Sequence, residues 1–193
     1  MPRTKQFNKQ EVLKMAMELF WEKGFHATSI NDLVAHLGIN RASIYDTYGG
    51  KQELFNSAFD QYQLISRKTL DDLLTAEVTV KQGFLNLFHL AIQQALTDDC
   101  HKGCFVVNTI TELVPGDAVI EHKLMENSAT VEHVFADYIQ KGIENGELNI
   151  AKNPKVLAST IFALYSGLMV LAKIEQNETK LKDVVATGLS VLD

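Results

Sequence analysis

"NDLVAHLGINRASIYDTYGGK", residues 31–51, is the stretch that decides the fold of this 193-residue chain. Apolar residues recur at helical spacing on both sides of Gly38, which predicts two short helices joined by a tight turn. We expect the first helix to be capped by Thr28 and the second to run from Asn40 to about Thr47. Two short helices that meet through a glycine turn are typical of a helix-turn-helix, whose second helix enters the major groove of DNA.

The flanking sequence extends the helical pattern in both directions. A helix is expected from about Asn8 to Lys23, where Gly24 stops it, and a long helix should begin at Lys51 and pass Leu70. No run alternates between apolar and polar residues as a strand would, so the predicted fold class is all-α. Further helical segments are expected near residues 80–95, 104–114, 120–138, 154–172 and 181–192.

The second motif helix has one apolar side and one polar side. Ile39 and Ile44 should hold it against the preceding helices. The outward side mixes donors, an acceptor and a small apolar group, which suits base edges and phosphates. The residues predicted to face outward are Arg41, Ala42, Ser43, Tyr45, Asp46 and Thr47.

The charge of the chain limits how it can bind a polyanion. The formal net charge is −6, but residues 1–55 hold seven Lys or Arg against six Asp or Glu, whereas the remainder holds 11 against 18. Most of the repulsion therefore comes from the later part of the chain. Any contact with nucleic acid must be local and sensitive to salt.

The longest uncharged run, residues 156–172, predicts an apolar helix. It lies at the lower limit for spanning a bilayer and contains Ser, Thr and Gly, so we interpret it as a buried core helix and expect no membrane association. A helix that is apolar on every side must be covered on every side. We therefore expect a homodimer formed through the last two helices, with a well-enclosed monomer core as the alternative.

A longer string, "MAMELFWEKGFHATSINDLVAHLGINRASIYDTYGGKQELF", resembles the DNA-binding region of the TetR/AcrR family of bacterial transcriptional regulators. The matching elements are "A..LF...G", "TSI.DL....G", "..IY.TY" and "K.ELF". The resemblance implies a three-helix DNA-binding unit joined by a long helix to a helical effector-binding and dimerisation domain. We place the DNA-binding domain at residues 1–52 and the ligand-binding and dimerisation domain at residues 53–193. The implied function is a repressor released from a pseudo-palindromic operator by a small hydrophobic effector.

The same resemblance implies roles for individual residues. Thr28, Tyr45 and Lys51 would contact phosphates. Thr47 stands where the family most often has His, which keeps a hydroxyl but shortens the reach. The candidates for reading bases are Arg41, Ala42, Ser43 and Asp46, next to the capping residue Asn40.

A ligand pocket between the later helices should be mostly apolar with a few polar groups. We expect Asn108 and a tyrosine hydroxyl to orient a moderately apolar molecule. Each aromatic residue taken alone is more typical of a core. The candidate lining residues are Phe84, Phe88, Phe105, Asn108, Thr109, Phe135, Tyr138, Phe162 and Tyr165.

The segment "DCHKGCFVVNTITEL" carries the two cysteines, Cys100 and Cys104. Cys104 near a helix N-terminus would have a favoured thiolate, which permits a redox or electrophile switch. A disulfide across this short spacing is geometrically doubtful, and a zinc site would need a distant ligand such as His89 or His122. A buried structural Cys104 with an exposed Cys100 is the simpler interpretation, and no metal or cofactor is expected.

Enzyme motifs do not occur in this sequence: HExxH, GxSxG, GxxxxGK[ST] and GxGxxG are all missing. We therefore expect no enzymatic activity. The chain opens without an apolar signal region and holds only two cysteines, which favours the cytoplasm. A helical adaptor protein without DNA binding is the alternative class.

Overall fold

A computed structural model describes residues 7–76, 79–97, 102–149 and 151–193. Over these ranges the regular structure is helical and contains no strand, which confirms the all-α prediction. A short 3₁₀ turn, Ser190–Leu192, ends the chain. The helices are α1 Lys9–Lys23, α2 Ile30–Leu37, α3 Arg41–Tyr48, α4 Lys51–Ala76, α5 Val80–Thr97, α6 Phe105–Leu113, α7 Ala118–Glu144, α8 Pro154–Leu171 and α9 Glu178–Leu189.

Side chains next to the helix ends explain where the first three helices begin. The Asn8 side chain accepts hydrogen bonds from the first turn of α1, and the Asn40 side chain accepts one from the Ser43 N–H in α3. Each bond satisfies an amide that has no partner within its own helix. Gly38 adopts a left-handed conformation, with φ of 64°, and turns the chain from α2 toward α3.

The predicted cap of α2 is wrong by one residue. Ser29, not Thr28, is the N-cap: its hydroxyl accepts from the Asp32 N–H, and the Asp32 carboxylate accepts from the Ser29 N–H. Thr28 is fully buried, and its hydroxyl donates to the Gly24 carbonyl at 2.6 Å. The sequence holds a Ser-x-x-Asp capping box at these positions, which is the signal that identifies Ser29.

The first core packs α1, α2, α3 and the start of α4 around large apolar side chains. Ile39 and Ile44 are buried as predicted, with Ile44 fully enclosed. The same core also takes in apolar residues from α6 and the start of α7, namely Phe105, Val106, Leu113, Ile120 and Leu124. The DNA-binding unit is therefore packed against later helices, and the domain boundary between residues 52 and 53 stays a prediction.

The apolar helix α8 is buried along only one face, which corrects its interpretation as a core helix. Ala158, Ile161, Leu168 and Met169 are buried, whereas Val170 is half exposed. Among the described residues, α8 alone has the length and composition to cross a membrane, and only 22% of it is buried. One chain therefore covers part of this helix and leaves the rest to solvent.

Candidate nucleic-acid interface

Helix α3 presents a polar surface on the side opposite its buried anchor. Ile44 is fully buried, whereas Arg41, Ala42 and Tyr45 are exposed, Tyr45 to 50%. Asp46 is exposed as well. The predicted outward set is thus brought together on one face of a single short helix, with Ser43 and Thr47 partly exposed at its sides. A helix with this arrangement can be laid into a groove about 12 Å wide without losing its packing.

Lys51 stands at the N-terminus of α4, close to the end of α3. Its ammonium nitrogen lies 4.2 Å from the centre of the Phe25 ring, which holds the cation by a cation–π contact. Partial burial lowers the pKa of Lys51, and the negative charges of Glu112 and Asp32 oppose that shift. A helix N-terminus that carries a fixed cation favours a phosphate oxygen.

Ser29 and Asp32 form a second polar site at the start of α2. Hydrogen bonds from Ser29, together with Lys23 at 3.2 Å, lower the pKa of Asp32 from 3.8 to about 2. The carboxylate stays ionised and holds the capping box in place. Ser29 is exposed, so the exposed hydroxyl at this terminus belongs to Ser29 and not to the predicted Thr28.

Helix α6 joins the DNA-binding unit to the rest of the molecule through hydrogen bonds. The Glu112 carboxylate accepts from the Phe25 N–H at 3.0 Å and from the His26 N–H at 2.7 Å, both in the turn between α1 and α2. The Trp21 indole N–H donates to the Gly103 carbonyl at 2.9 Å, just before α6. Both ends of α6 are therefore tied to the DNA-binding unit.

Phe105, a predicted pocket residue, fills the space between these two ties. Its ring lies 5.7 Å from the rings of Phe55 and Phe59 and 5.4 Å from the ring of Tyr62, measured between centres. These edge-to-face contacts are favourable, and they fix α6 against α4. Phe105 therefore belongs to the contact between the two parts of the molecule.

A cavity lies between α4, α6, α7 and α8. It encloses about 720 Å³ of empty space, part of it open to solvent. Three predicted residues line it: Phe135, Phe162 and Tyr165. The lining that the sequence did not predict comes mainly from α4 and α6 and includes Tyr62, Gln63, Ser66, Arg67, Cys104, Val106, Val107 and Ile110.

Six predicted pocket residues lie elsewhere. Phe84 and Phe88 are fully buried in the core between α5 and its neighbours, and Phe105 packs as described above. The Tyr138 hydroxyl donates to the Thr79 carbonyl, away from the cavity.

The two polar residues of α6 that were predicted to line a pocket make hydrogen bonds elsewhere. Thr109 is buried and donates to the Phe105 carbonyl within α6. The Asn108 amide donates to the Lys102 carbonyl and accepts from Lys173. These residues face the core or neighbouring polar groups, so neither lines the cavity.

Cys104 occupies the N-cap position of α6 and lines the cavity, while Cys100 lies outside the described residues. The Tyr62 hydroxyl lies 3.7 Å from the Cys104 sulfur. Burial raises the pKa of Cys104, although backbone N–H groups of α6 act in the opposite direction. The prediction of a favoured thiolate is therefore wrong, because loss of solvation outweighs the helix terminus. Within the described ranges, no group of three or more His, Cys, Asp or Glu could hold a metal ion.

Comparison with known proteins finds family matches in both the DNA-binding unit and the later helices. Residues 12–58 match the bacterial regulatory proteins of the tetR family, and residues 84–187 match the tetracyclin repressor-like C-terminal domain. This chain belongs to the TetR family. The TetR-family chain is 32% identical over 194 residues to the uncharacterized HTH-type transcriptional regulator YezE of Bacillus subtilis (strain 168), covering 100% of both chains.

Two further proteins are similar to this TetR-family chain over nearly its whole length. The HTH-type transcriptional repressor ComR of Escherichia coli (strain K12) is 27% identical over 188 residues, covering 97% of this chain and 90% of ComR. A cysteine mutant of the TetR family regulator CifR, complexed with 26 bp operator DNA, superposes with a TM-score of 0.89 at 24% identity. That match covers 99% of this chain and 100% of CifR.

The TetR-family chain is therefore a DNA-binding transcriptional regulator and not an enzyme. The match over residues 12–58 contains the motif from which DNA binding was predicted, and that prediction is confirmed. The alternative of a helical adaptor without DNA binding is excluded. The contacts of individual residues with DNA and with an effector stay predictions.

Proposed function

We propose that this regulator represses transcription as a homodimer on a pseudo-palindromic operator and is released by a small hydrophobic effector. The observation that carries this proposal is the position of α6. One side of α6 lines the cavity, and its two ends hold the DNA-binding unit. Several relatives, including ComR of Escherichia coli and DhaR of Mycobacterium, are named repressors, which supports the direction of control.

The exposed face of α3 supports the proposed division of DNA contacts. Arg41, Ala42, Ser43 and Asp46 would read base edges, with Arg41 suited to guanine. The phosphate contacts would come from Tyr45, Thr47, Lys51 and, in place of Thr28, the exposed Ser29. Asn40 would hold the start of α3 in position by its cap.

The exposed stripe of α8 supports a homodimer through α8 and α9. Its members recur every three or four residues and are small or apolar: Val156, Thr160, Ala163, Gly167 and Val170, and Ile174 continues the stripe just beyond the end of α8. A Cβ placed on Gly167 would have no neighbour within 4 Å, so a second helix could approach the backbone closely there. The partner of such a stripe in a two-fold dimer is the same stripe.

Effector release would then operate through α6. Val106, Val107 and Ile110 line the cavity, and Glu112 follows on the same short helix. A ligand that displaces α6 would carry Glu112 with it and disturb the turn at Phe25. The Phe25 ring in that turn contacts the ammonium group of Lys51, the first residue of α4. The ligand lowers operator affinity by its differential affinity for the two arrangements.

The test is selection of bound fragments from a genomic library with the purified full chain. We expect enrichment of an inverted repeat whose half-sites lie one helical turn or slightly more apart. Enrichment of single half-sites would contradict the dimer, and no enrichment from folded protein would contradict the proposed operator binding.

A thiol-based response through Cys104 is the second candidate, because this residue lines the cavity and an electrophile that enters would meet its sulfur. The raised pKa opposes that reaction at neutral pH. If a Cys104→Ser variant folds and loses its response to oxidants or electrophiles, the thiol is the sensor. An unchanged response contradicts this role.

The proposed repressor acts in the cytoplasm, where operator DNA lies.

A further inference from the structure

Gln63, on α4, carries the one buried side-chain nitrogen or oxygen atom that has no hydrogen-bond partner within the described ranges. That atom is Nε2, an amide nitrogen with two hydrogens to donate, and Gln63 lines the cavity. Buried polar groups in folded proteins are almost always paired, because an unpaired donor forfeits the hydrogen bonds it makes with water. The amide is therefore poised to donate to something that enters the cavity.

The surroundings of Gln63 indicate the chemistry of the occupant. The lining is mostly apolar, from side chains such as Leu70, Val107 and Phe135. Burial raises the pKa of both Tyr62 and Tyr165, so these hydroxyls stay neutral. A low-dielectric cavity with neutral polar groups favours an uncharged ligand.

Arg67 is the charged side chain in the cavity lining, but it does not make the cavity an anion site. The residue is exposed, and it also borders an outer groove that contains Asp60 and Glu126. The cavity therefore has no dedicated buried cation for an acidic ligand.

We propose that this cavity binds a small, neutral, mostly apolar molecule with one hydrogen-bond acceptor, such as a ketone or aldehyde oxygen, to which Gln63 Nε2 donates. The proposal rests on the proposed function and names the class of effector. Its mostly apolar lining with a few polar groups is typical of small-molecule sites.

The position of Gln63 also gives the ligand a direct route to the DNA-binding end of the chain. Gln63 and Lys51 lie on the same helix, α4, twelve residues apart. At 1.5 Å per residue the separation along the axis is about 18 Å. A ligand held by Gln63 therefore acts on the helix whose N-terminus is proposed to contact phosphate.

The test uses two probes of nearly equal shape, acetophenone and α-methylstyrene, in which a carbonyl oxygen is replaced by a CH₂ group. Binding to the full chain is measured by calorimetry without DNA. We expect acetophenone to bind about tenfold more tightly, because only its oxygen accepts from Nε2. A Gln63→Leu variant should lose this preference while its Tm without ligand does not fall, since the variant removes an unpaired group.

Gln61→Leu is the matched control, because Gln61 lies on the same helix and does not line the cavity. It should keep the acetophenone preference. If Gln63→Leu does not fold, Gln63→Met provides the same loss of a donor with a flexible side chain. Retention of the preference in a folded Gln63 variant would overturn the assignment.

Three other results would overturn the proposal. Equal binding of the two probes would mean that a trapped water, not the ligand, satisfies Nε2. Binding of neither probe would exclude this ligand class, and tighter binding of benzoate would show that Arg67 makes the cavity an anion-binding site. None of these results bears on operator binding, which is measured with the same protein in a separate titration, so the two proposals can fail independently.

Discussion

The DNA-binding unit and the cavity behind α6 are built in different ways. In the first, each helix is started or stopped by residues adjacent to it, such as Asn8, Asn40 and Gly38. In the second, the lining comes from residues as far apart as Tyr62 and Tyr165. A site made of local signals can be read along the chain, whereas a site made by tertiary packing cannot.

The largest effect should come from breaking the proposed dimer, because α8 would then no longer hold two copies of the DNA-binding unit together on one operator. Ala163→Arg places a charge in the exposed stripe. Operator affinity should fall by at least about 100-fold, since each half-site would then be bound alone. Sedimentation and operator titration measure the two consequences. Ala129→Arg, at an exposed position of α7, is the control and should change neither.

Glu112→Ala should weaken the hydrogen-bonded contact between α6 and the DNA-binding unit. The variant leaves the Phe25 and His26 amides without their carboxylate partner. We expect a loss of about 2 to 3 kcal/mol in the free energy of unfolding, because bonds to a charged acceptor are the stronger ones. Urea unfolding measures this loss. A change no larger than that of Thr111→Ala, at an adjacent exposed position, would contradict the role of Glu112.

Arg41→Ala should weaken only the DNA-binding unit. A side chain that pairs with a guanine edge contributes about 1 to 3 kcal/mol of discrimination, so affinity should fall and base preference at one position of each half-site should relax. Competition among operator variants measures both. The Tm should stay unchanged, because Arg41 is exposed. Uniform weakening across all sequences would instead assign Arg41 to phosphate.

The smallest effect concerns pH and the start of α2. The pKa of Asp32 is about 2 in the folded chain against an ordinary 3.8, so the ionised form is favoured by folding. Its stabilisation is present above about pH 4 and is lost as the pH falls toward 2. The Tm difference between the wild type and Asp32→Asn should therefore shrink over that interval. A difference that is constant with pH would show that the carboxylate charge has no part in the cap.

The sequence predicted the helix order and the polar face of α3 because both depend on spacing and on nearby caps. The α2 cap was misplaced because Thr28 and Ser29 are both capping residues. The Ser-x-x-Asp capping box in the sequence singles out Ser29, and the structure agrees because it buries Thr28. Gln63 was missed, because nothing in a polar residue on a long helix shows that its amide will be buried without a partner.

Burial that the sequence does not show also explains why the predictions for Cys104 and α8 were wrong. Cys104 does lie at a helix N-terminus, but burial, which spacing does not report, decides its pKa. The composition of α8 fits a helix at a subunit interface as well as a core helix. Which of the two it is depends on how much of α8 the other helices of the same chain cover.

The central claim, that a small local surface on an acidic protein binds DNA, is tested most directly by the salt dependence of operator binding. Lys51, the cation proposed to contact phosphate, gives one such contact per protomer and two per dimer, so log K should fall against log[salt] with a slope of about −1.8. Affinity should then drop by about tenfold between 50 and 200 mM salt. A slope near zero for a folded dimer would contradict the account.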